Sequence, residues 1–215
     1  METSLIPMFD YKKNEECMSI FQPLIDLVFP PFCVECSERT NLKYLCKDCW
    51  ELSSILDLEG RCRHCFEEFE GDTLCPQCRK DPKFPFERAA VFDQLAPIKR
   101  ALSADTAMVA ASFAYYQWLR LDWVDPDLII PIPSSNFGVA KRFADLCNLP
   151  CPNLFKRIAW PLGTEKWVVS ERLIEENATI LLIDEGCSTK QLLMAAKALS
   201  TAFPKKVYLI SLYLT

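Results

Sequence analysis

The chain has 215 residues, half of them apolar, and its 24 basic and 29 acidic side chains give a formal net charge of −5. That length holds one full domain plus a small module, and without a basic excess the totals carry no broad nucleic-acid signal. No apolar run reaches the roughly 18 residues of a membrane span, so none is expected. Residues 1–20 form an N-terminal extension without the charged-then-apolar order of a signal peptide, and a cytoplasmic location is expected. The charge is uneven: residues 1–89 carry 11 basic and 17 acidic side chains, residues 90–215 carry 13 and 12. After the extension, FQPLIDLVFPPFC reads as a helix with an apolar side (Leu24, Ile25, Leu27, Val28, Phe29), stopped by Pro30 and Pro31.

A cysteine-rich module is expected over residues 21–83. Eight of the twelve cysteines fall in four pairs: Cys33/Cys36, Cys46/Cys49, Cys62/Cys65 and Cys75/Cys78. They spell C-x2-C-x9-C-x2-C twice, with twelve residues between the copies. Two residues between cysteines let one tight turn offer both sulfurs to one ion, and a second turn completes a tetrahedral thiolate set. The pattern, with no export signal, favours structural zinc over disulfides or redox-active pairs. The segment has too few apolar residues to fold on packing alone, so metal would supply much of its folding energy. The ligand pairing is open: in order along the chain, crossed between repeats, or with one pair unused. His64, the only histidine, reads as a spacer inside a CxxC turn. Trp50 is expected to open a short amphipathic turn or helix, WELSSILDL. Phe66, Phe69, Phe84 and Phe86 read as core residues or as stacking surfaces for a nucleic acid.

The main domain is expected over residues 84–215. AAVF reads as a strand. LAPIKRALSADTAMVAASFAYYQWLRL has helical spacing, with Ala107, Ala110, Ala111 and Ala114 permitting close packing. Val109, Phe113, Tyr116 and Trp118 do not share one face, which predicts heavy burial. DLIIPIP reads as a short buried strand, and SSNFGVAKRFADLC as a loop into a helix capped by Ser135 or Asn136. ATILLIDEGCSTKQ gives a central strand over 179–183 and then a loop. QLLMAAKALSTAF is a helix and KKVYLISLYL a strand. This order predicts a parallel α/β sheet with right-handed crossovers.

The strand-to-loop junction places Asp184 and Glu185 at the usual binding edge of such a sheet. Adjacent acids there can accept hydrogen bonds from vicinal sugar hydroxyls or hold magnesium through water. Backbone N–H groups of Gly186, Cys187 and Ser188, with the helix start and the Ser188 and Thr189 hydroxyls, can receive a phosphate. A capped turn with no ligand is the plainer reading of the same residues.

Four stretches, LIDLVFPPFCVEC, LCKDCW, DLIIPIP and ILLIDEGCSTKQ, resemble in content and order the ComF group of phosphoribosyltransferase-related proteins, associated in bacteria with competence for DNA uptake. The resemblance spans roughly residues 20–215. It implies a type I phosphoribosyltransferase-like parallel sheet with an N-terminal cysteine-rich zinc module. By the same resemblance Asp184, Glu185, Gly186, Cys187, Ser188, Thr189 and Lys190 bind phosphoribosyl pyrophosphate or another sugar phosphate, with magnesium if the site works. Single-stranded DNA or a competence-machinery protein is the implied partner.

The family's site reads two acids, two variable residues, Thr-Thr-Gly, one residue, and Thr. Here Lys190 stands for the glycine and Leu192 for the last threonine. Glycine there permits close approach or a positive φ; a lysine would crowd the cradle, or aim its ammonium at the phosphate as a point charge. The arginine-rich stretch expected after PIP is shortened, with Lys141 and Arg142 arriving later. The interval FKRIAWPLGTEKWVVSERLIEEN keeps only Gly163, Thr164, Ser170 and Arg172 of the usual mobile segment. Cations are needed where departing pyrophosphate develops charge, so transferase activity is expected to be weak or absent. The alternatives are an active phosphoribosyltransferase and a non-catalytic, zinc-stapled DNA- or protein-interaction module. No residue stands out as the base for an acceptor.

Overall fold

The computed structural model describes residues 31–40, 45–71, 73–82, 85–93, 96, 107–133, 137–159, 165–170, 174–175, 177–186 and 188–214. In chain order the elements are α1 (Lys47–Glu51), α2 (Pro76–Lys80), β1 (Glu87–Phe92), α3 (Ala107–Leu119), β2 (Leu128–Pro131), α4 (Phe137–Cys147), β3 (Phe155–Ala159), β4 (Glu165–Val169), β5 (Thr179–Asp184), α5 (Thr189–Leu199), a 3₁₀ turn (Ser200–Ala202) and β6 (Lys206–Tyr213). The expected helix over 21–29 and the caps Ser135 and Asn136 lie outside the described residues.

β1, β6, β5 and β2 form a parallel four-stranded sheet in that order. All six residues of β5 are buried, as a run without polar alternation requires when both sheet faces are covered. The period-two alternation of a strand sorts its side chains. Leu181 and Ile183 face one layer, in register with Tyr208 and Ile210, and join Phe143 of α4 and Ala110, Ala111 and Ala114 of α3. Ile180 and Leu182 face the other layer and join Leu192, Ala195 and Leu199 of α5 and Trp167 and Val169 of β4. The result is a three-layer α/β architecture, as the order of predicted elements requires.

Two helical and loop expectations change. α3 is not buried all round. Ala107, Ala110, Ala111, Ala114 and Gln117 form one buried stripe, while Met108, Tyr116 and Leu119 are exposed. The small stripe brings the helix close to the sheet and α4, and its large residues divide. Tyr115 and Trp118 meet the Phe143 ring at 5.9 and 6.3 Å, while Tyr116 faces solvent. The interval after residue 154 holds an antiparallel hairpin, β3 with β4, with Phe155 opposite Val169. Its Phe155 and Trp167 rings pack 5.7 Å apart against α5's side of the sheet. Gly163, Thr164 and Arg172 lie outside the described residues.

β1 is an edge strand, and unpaired edges invite pairing with other chains. Here the cysteine module covers it. Leu56 N–H donates to the Val91 carbonyl at 2.9 Å, and Arg88 N–H donates to the Arg63 carbonyl at 3.3 Å. Gln117, fully buried, locks this arrangement. Its amide Nε2 donates to the Leu56 carbonyl at 3.1 Å and to the Ala90 carbonyl at 2.9 Å. Arg120, one turn on, donates to Asp57 Oδ1 at 3.1 Å. The linker between the two cysteine repeats is therefore stitched to both the sheet edge and α3.

Candidate metal centres and the strand-end site

The eight cysteines form two quartets in chain order: Cys33, Cys36, Cys46 and Cys49, then Cys62, Cys65, Cys75 and Cys78. The four sulfurs of each quartet lie within 4.8 Å of one another. A tetrahedron with bonds of about 2.3 Å to zinc has edges of about 3.8 Å. Cys36 and Cys46 Sγ are 3.6 Å apart, and Cys65 and Cys75 Sγ 3.8 Å apart. The geometry selects the in-order pairing over the crossed one.

The two quartets repeat each other bond for bond. Cys33 N–H donates to the Glu38 carbonyl and Cys62 N–H to the Glu67 carbonyl. Ser37 and Phe66, each just after a CxxC, take φ of 62° and 64°, a left-handed turn that an L side chain resists. Cys46 and Cys75 each cap a five-residue helix, their sulfurs accepting from Cys49 N–H and Cys78 N–H. Backbone donors tune the first thiol of each quartet, Cys33 and Cys62. Burial pushes Cys33 up, but N–H groups of Cys36, Cys46 and Glu35 aimed at its sulfur outweigh that and hold it at about 6. Cys62 is held at about 7 by the same contest, with N–H groups of Cys65, Cys75 and His64. Burial pushes Cys49 and Cys65 up, and Cys78 up to about 11. Clustered thiols of this kind ionise together only with a cation among them, and zinc fits the donor set. Four thiolates close the sphere, so both sites are structural. His64 stands outside both quartets as a spacer. Trp50 does not open a helix; it lies inside α1, which begins three residues earlier. Phe66 and Phe86 are each 3% exposed, so neither offers a stacking surface. Phe84 lies outside the described residues.

At the other end of the sheet, Asp184 closes β5 fully buried, and Glu185 is half-buried. Gly186 is exposed with φ of 120°, a backbone that favours glycine. Cys187 lies outside the described residues. α5 starts earlier than its sequence implied, at Thr189, so Thr189 and Lys190 stand in its first turn and not in a loop. Lys190 is exposed on helical backbone, and the positive φ falls at Gly186, so lysine strains nothing. Leu192 is fully buried in the core layer beneath.

Ser188 caps α5 in a capping box. Its N–H donates to Gln191 Oε1 at 3.0 Å, and its Oγ accepts from Gln191 N–H at 3.4 Å. The signature was legible as Ser-x-x-Gln ahead of an apolar run. Two donors that would face a phosphate are thus already engaged.

Two residues join this site that the motif reading missed. Arg88 of β1 is 3% exposed. Burial lowers its pKa, and the charges of Asp184, Glu67 and Cys65 oppose that. Tyr213, at the end of β6, is pushed up by burial and then by the nearby Glu185 charge. Neither had a periodic signal: Arg88 sits in a run that otherwise reads as plain core strand.

The described fold and the two thiolate quartets define a parallel α/β protein with an N-terminal zinc module. The chain is similar over residues 24–84 to the double zinc ribbon domain family. No curated protein matches the chain. Among solved structures, the purine phosphoribosyltransferase from Pyrococcus horikoshii Ot3 is 16% identical, with a TM-score of 0.34, over 58% of this chain and 76% of that one. An allosteric regulatory enzyme of purine biosynthesis is 13% identical, with a TM-score of 0.37, over 67% of this chain and 32% of that one.

Proposed function

We propose that the protein is a ComF-like member of the type I phosphoribosyltransferase architecture whose sugar-phosphate site, Asp184 to Lys190, retains weak binding and little or no transferase activity. The observation that carries this reading is the capping box at Ser188 and Gln191, which closes the helix start on itself. The acids support it too. Asp184 is turned into the core, where Arg88's charge is close enough to feel it. Glu185, half-buried next to it, is the acid we assign to a ribose hydroxyl or a hydrated magnesium ion. Lys190, exposed on the first turn, supplies a point charge for phosphate without forming a cradle. Association with DNA uptake enters through the family resemblance.

Calorimetry with phosphoribosyl pyrophosphate and magnesium tests the reading. The expected dissociation constant is about millimolar, with no pyrophosphate released in the presence of common base or amine acceptors. Micromolar binding with steady pyrophosphate release would overturn it.

A further inference from the structure

A cleft of about 440 Å³ opens between the second zinc ribbon and the sheet, within the roughly 300–1,000 Å³ typical of small-ligand pockets. It is separate from the Asp184–Lys190 loop, although the Arg88 side chain that feels the Asp184 charge also lines it. Glu87, which opens β1, and Trp123, ahead of β2, line it, so it belongs to the N-terminal ends of the strands. Asp184 closes the C-terminal end of β5.

Four arginines share this cleft: Arg61, Arg63, Arg88 and Arg120. Arg63 is exposed, and its side chain has no partner among the described residues. Arg61 is ion-paired with Glu68 at 2.8 Å and Arg120 with Asp57 at 3.1 Å. Both acids are more than four-fifths exposed, which weakens their hold; Arg61 itself is 10% exposed and its Nη1 also donates to the Phe66 carbonyl at 3.2 Å, so it offers a phosphate the Nη2 edge that now meets Glu68. A phosphate carrying more than one charge and offering bidentate geometry competes well for such guanidinium groups. Arg88 forms a buried cationic wall. Trp123 is held flat against Tyr208, with centroids 4.6 Å apart and planes at 11°, and it lines the cleft half-buried. A fixed indole favours a stacked planar ring. On the rim, the carboxylates of exposed Glu59 and Asp122 can accept hydrogen bonds. Acceptors beside cations suit a ligand that carries hydroxyl or amino donors as well as an anion.

We propose that this cleft binds a nucleoside monophosphate, with the phosphate on Arg61 and Arg63, the base against Trp123, and sugar or base donors toward Glu59 and Asp122. The proposal is independent of the strand-end reading.

The test is equilibrium dialysis of the zinc-loaded full chain with AMP, adenosine, inorganic phosphate and a short single-stranded oligonucleotide. AMP should bind saturably below about 1 mM, with adenosine and phosphate each at least about tenfold weaker. Arg63→Ala and Arg61→Ala should each weaken AMP about tenfold, with two zincs per chain retained as a check on folding. Lys190→Ala should leave AMP binding unchanged. Phosphate binding as tightly as AMP, or the oligonucleotide binding far more tightly than AMP, would overturn the assignment. So would an absence of saturation at about 10 mM AMP, or sensitivity to Lys190→Ala without sensitivity to Arg63→Ala. A failure of the strand-end reading would show instead as tight phosphoribosyl pyrophosphate binding that Lys190→Ala weakens and Arg63→Ala leaves alone.

Discussion

The two zinc ribbons have the same spacing, turns, caps and sulfur geometry, yet different neighbours. In the first, Cys33, Cys46 and Cys49 belong to the core of the α/β domain, with Val91, Phe92 and the α3 alanines, and Trp50 meets Phe113 at 5.5 Å. In the second, Cys62, Cys65 and Cys78 form a small cluster of their own with Phe69, Leu74 and Cys75. The second ribbon reaches the domain through Phe66, packed on Ala89 and Ala90, and through the Arg63 carbonyl at the sheet edge. An identical local motif therefore carries different global weight. Metal in the first ribbon supports the domain core, and metal in the second supports mainly its own loops.

Matched substitutions at the two helix caps should separate these roles most sharply. Cys46→Ser and Cys75→Ser each keep a capping side chain and remove one thiolate. Structural zinc binding is worth about 10–16 kcal/mol in isolated fingers, more than the usual stability of a domain. Cys46→Ser should therefore abolish the main cooperative melting transition or lower its midpoint by well over 10 °C, whereas Cys75→Ser should lose one zinc and leave that midpoint within a few degrees. Calorimetry with zinc analysis reads both, and equal losses would break the comparison.

A smaller effect is expected at the clip between the ribbons. Gln117→Leu takes the side-chain donor from the buried Ala90 carbonyl and leaves the Leu56 carbonyl only its long bond from Arg120 Nη1 at 3.4 Å, and should cost about 2 kcal/mol in urea unfolding. Arg120→Ala removes an ion pair whose acid is 86% exposed and the donor to Gln117 Oε1 at 3.1 Å, and should cost about 1 kcal/mol.

Smaller consequences for the ribbons are expected from the opposite sheet end. Ser188→Ala removes the cap of α5 and should cost about 1 kcal/mol without changing zinc content. At alkaline pH, Tyr213 adds a signature there. Its folded pKa is raised, so its contribution is complete below the ordinary phenol value of about 10 and is lost as pH rises above it. Tyr213→Phe should flatten the alkaline fall in stability; an unchanged fall would remove this assignment.

Much of this arrangement was readable from residues. The CxxC spacings point to thiolate quartets because ligand geometry is local. The branched run Thr179–Ile183 reads as a central strand because burial on both faces removes alternation. Pairing was not readable, since both repeats have the same internal spacing and only tertiary contacts choose between in-order and crossed sets. Gln117 hid on an alanine-rich helix, and its role depends on two carbonyls distant in sequence. Ser188 and Gln191 were visible as a box signature, yet the acid pair before them drew the reading toward phosphate. The expectation that Lys190 crowds a phosphate cradle assumes a helix start at Gln191, two residues beyond the true start at Thr189.

The first zinc ribbon is part of the domain core and the second is not. Stepwise chelation followed by native mass spectrometry, with amide hydrogen exchange on β1, tests it most directly. The one-zinc form should keep its metal on Cys33, Cys36, Cys46 and Cys49 and retain protection at Ala89 to Phe92, and that protection should collapse when the second zinc leaves. Full β1 protection in the zinc-free chain, or its loss with the first zinc released from Cys62, Cys65, Cys75 and Cys78, would contradict it.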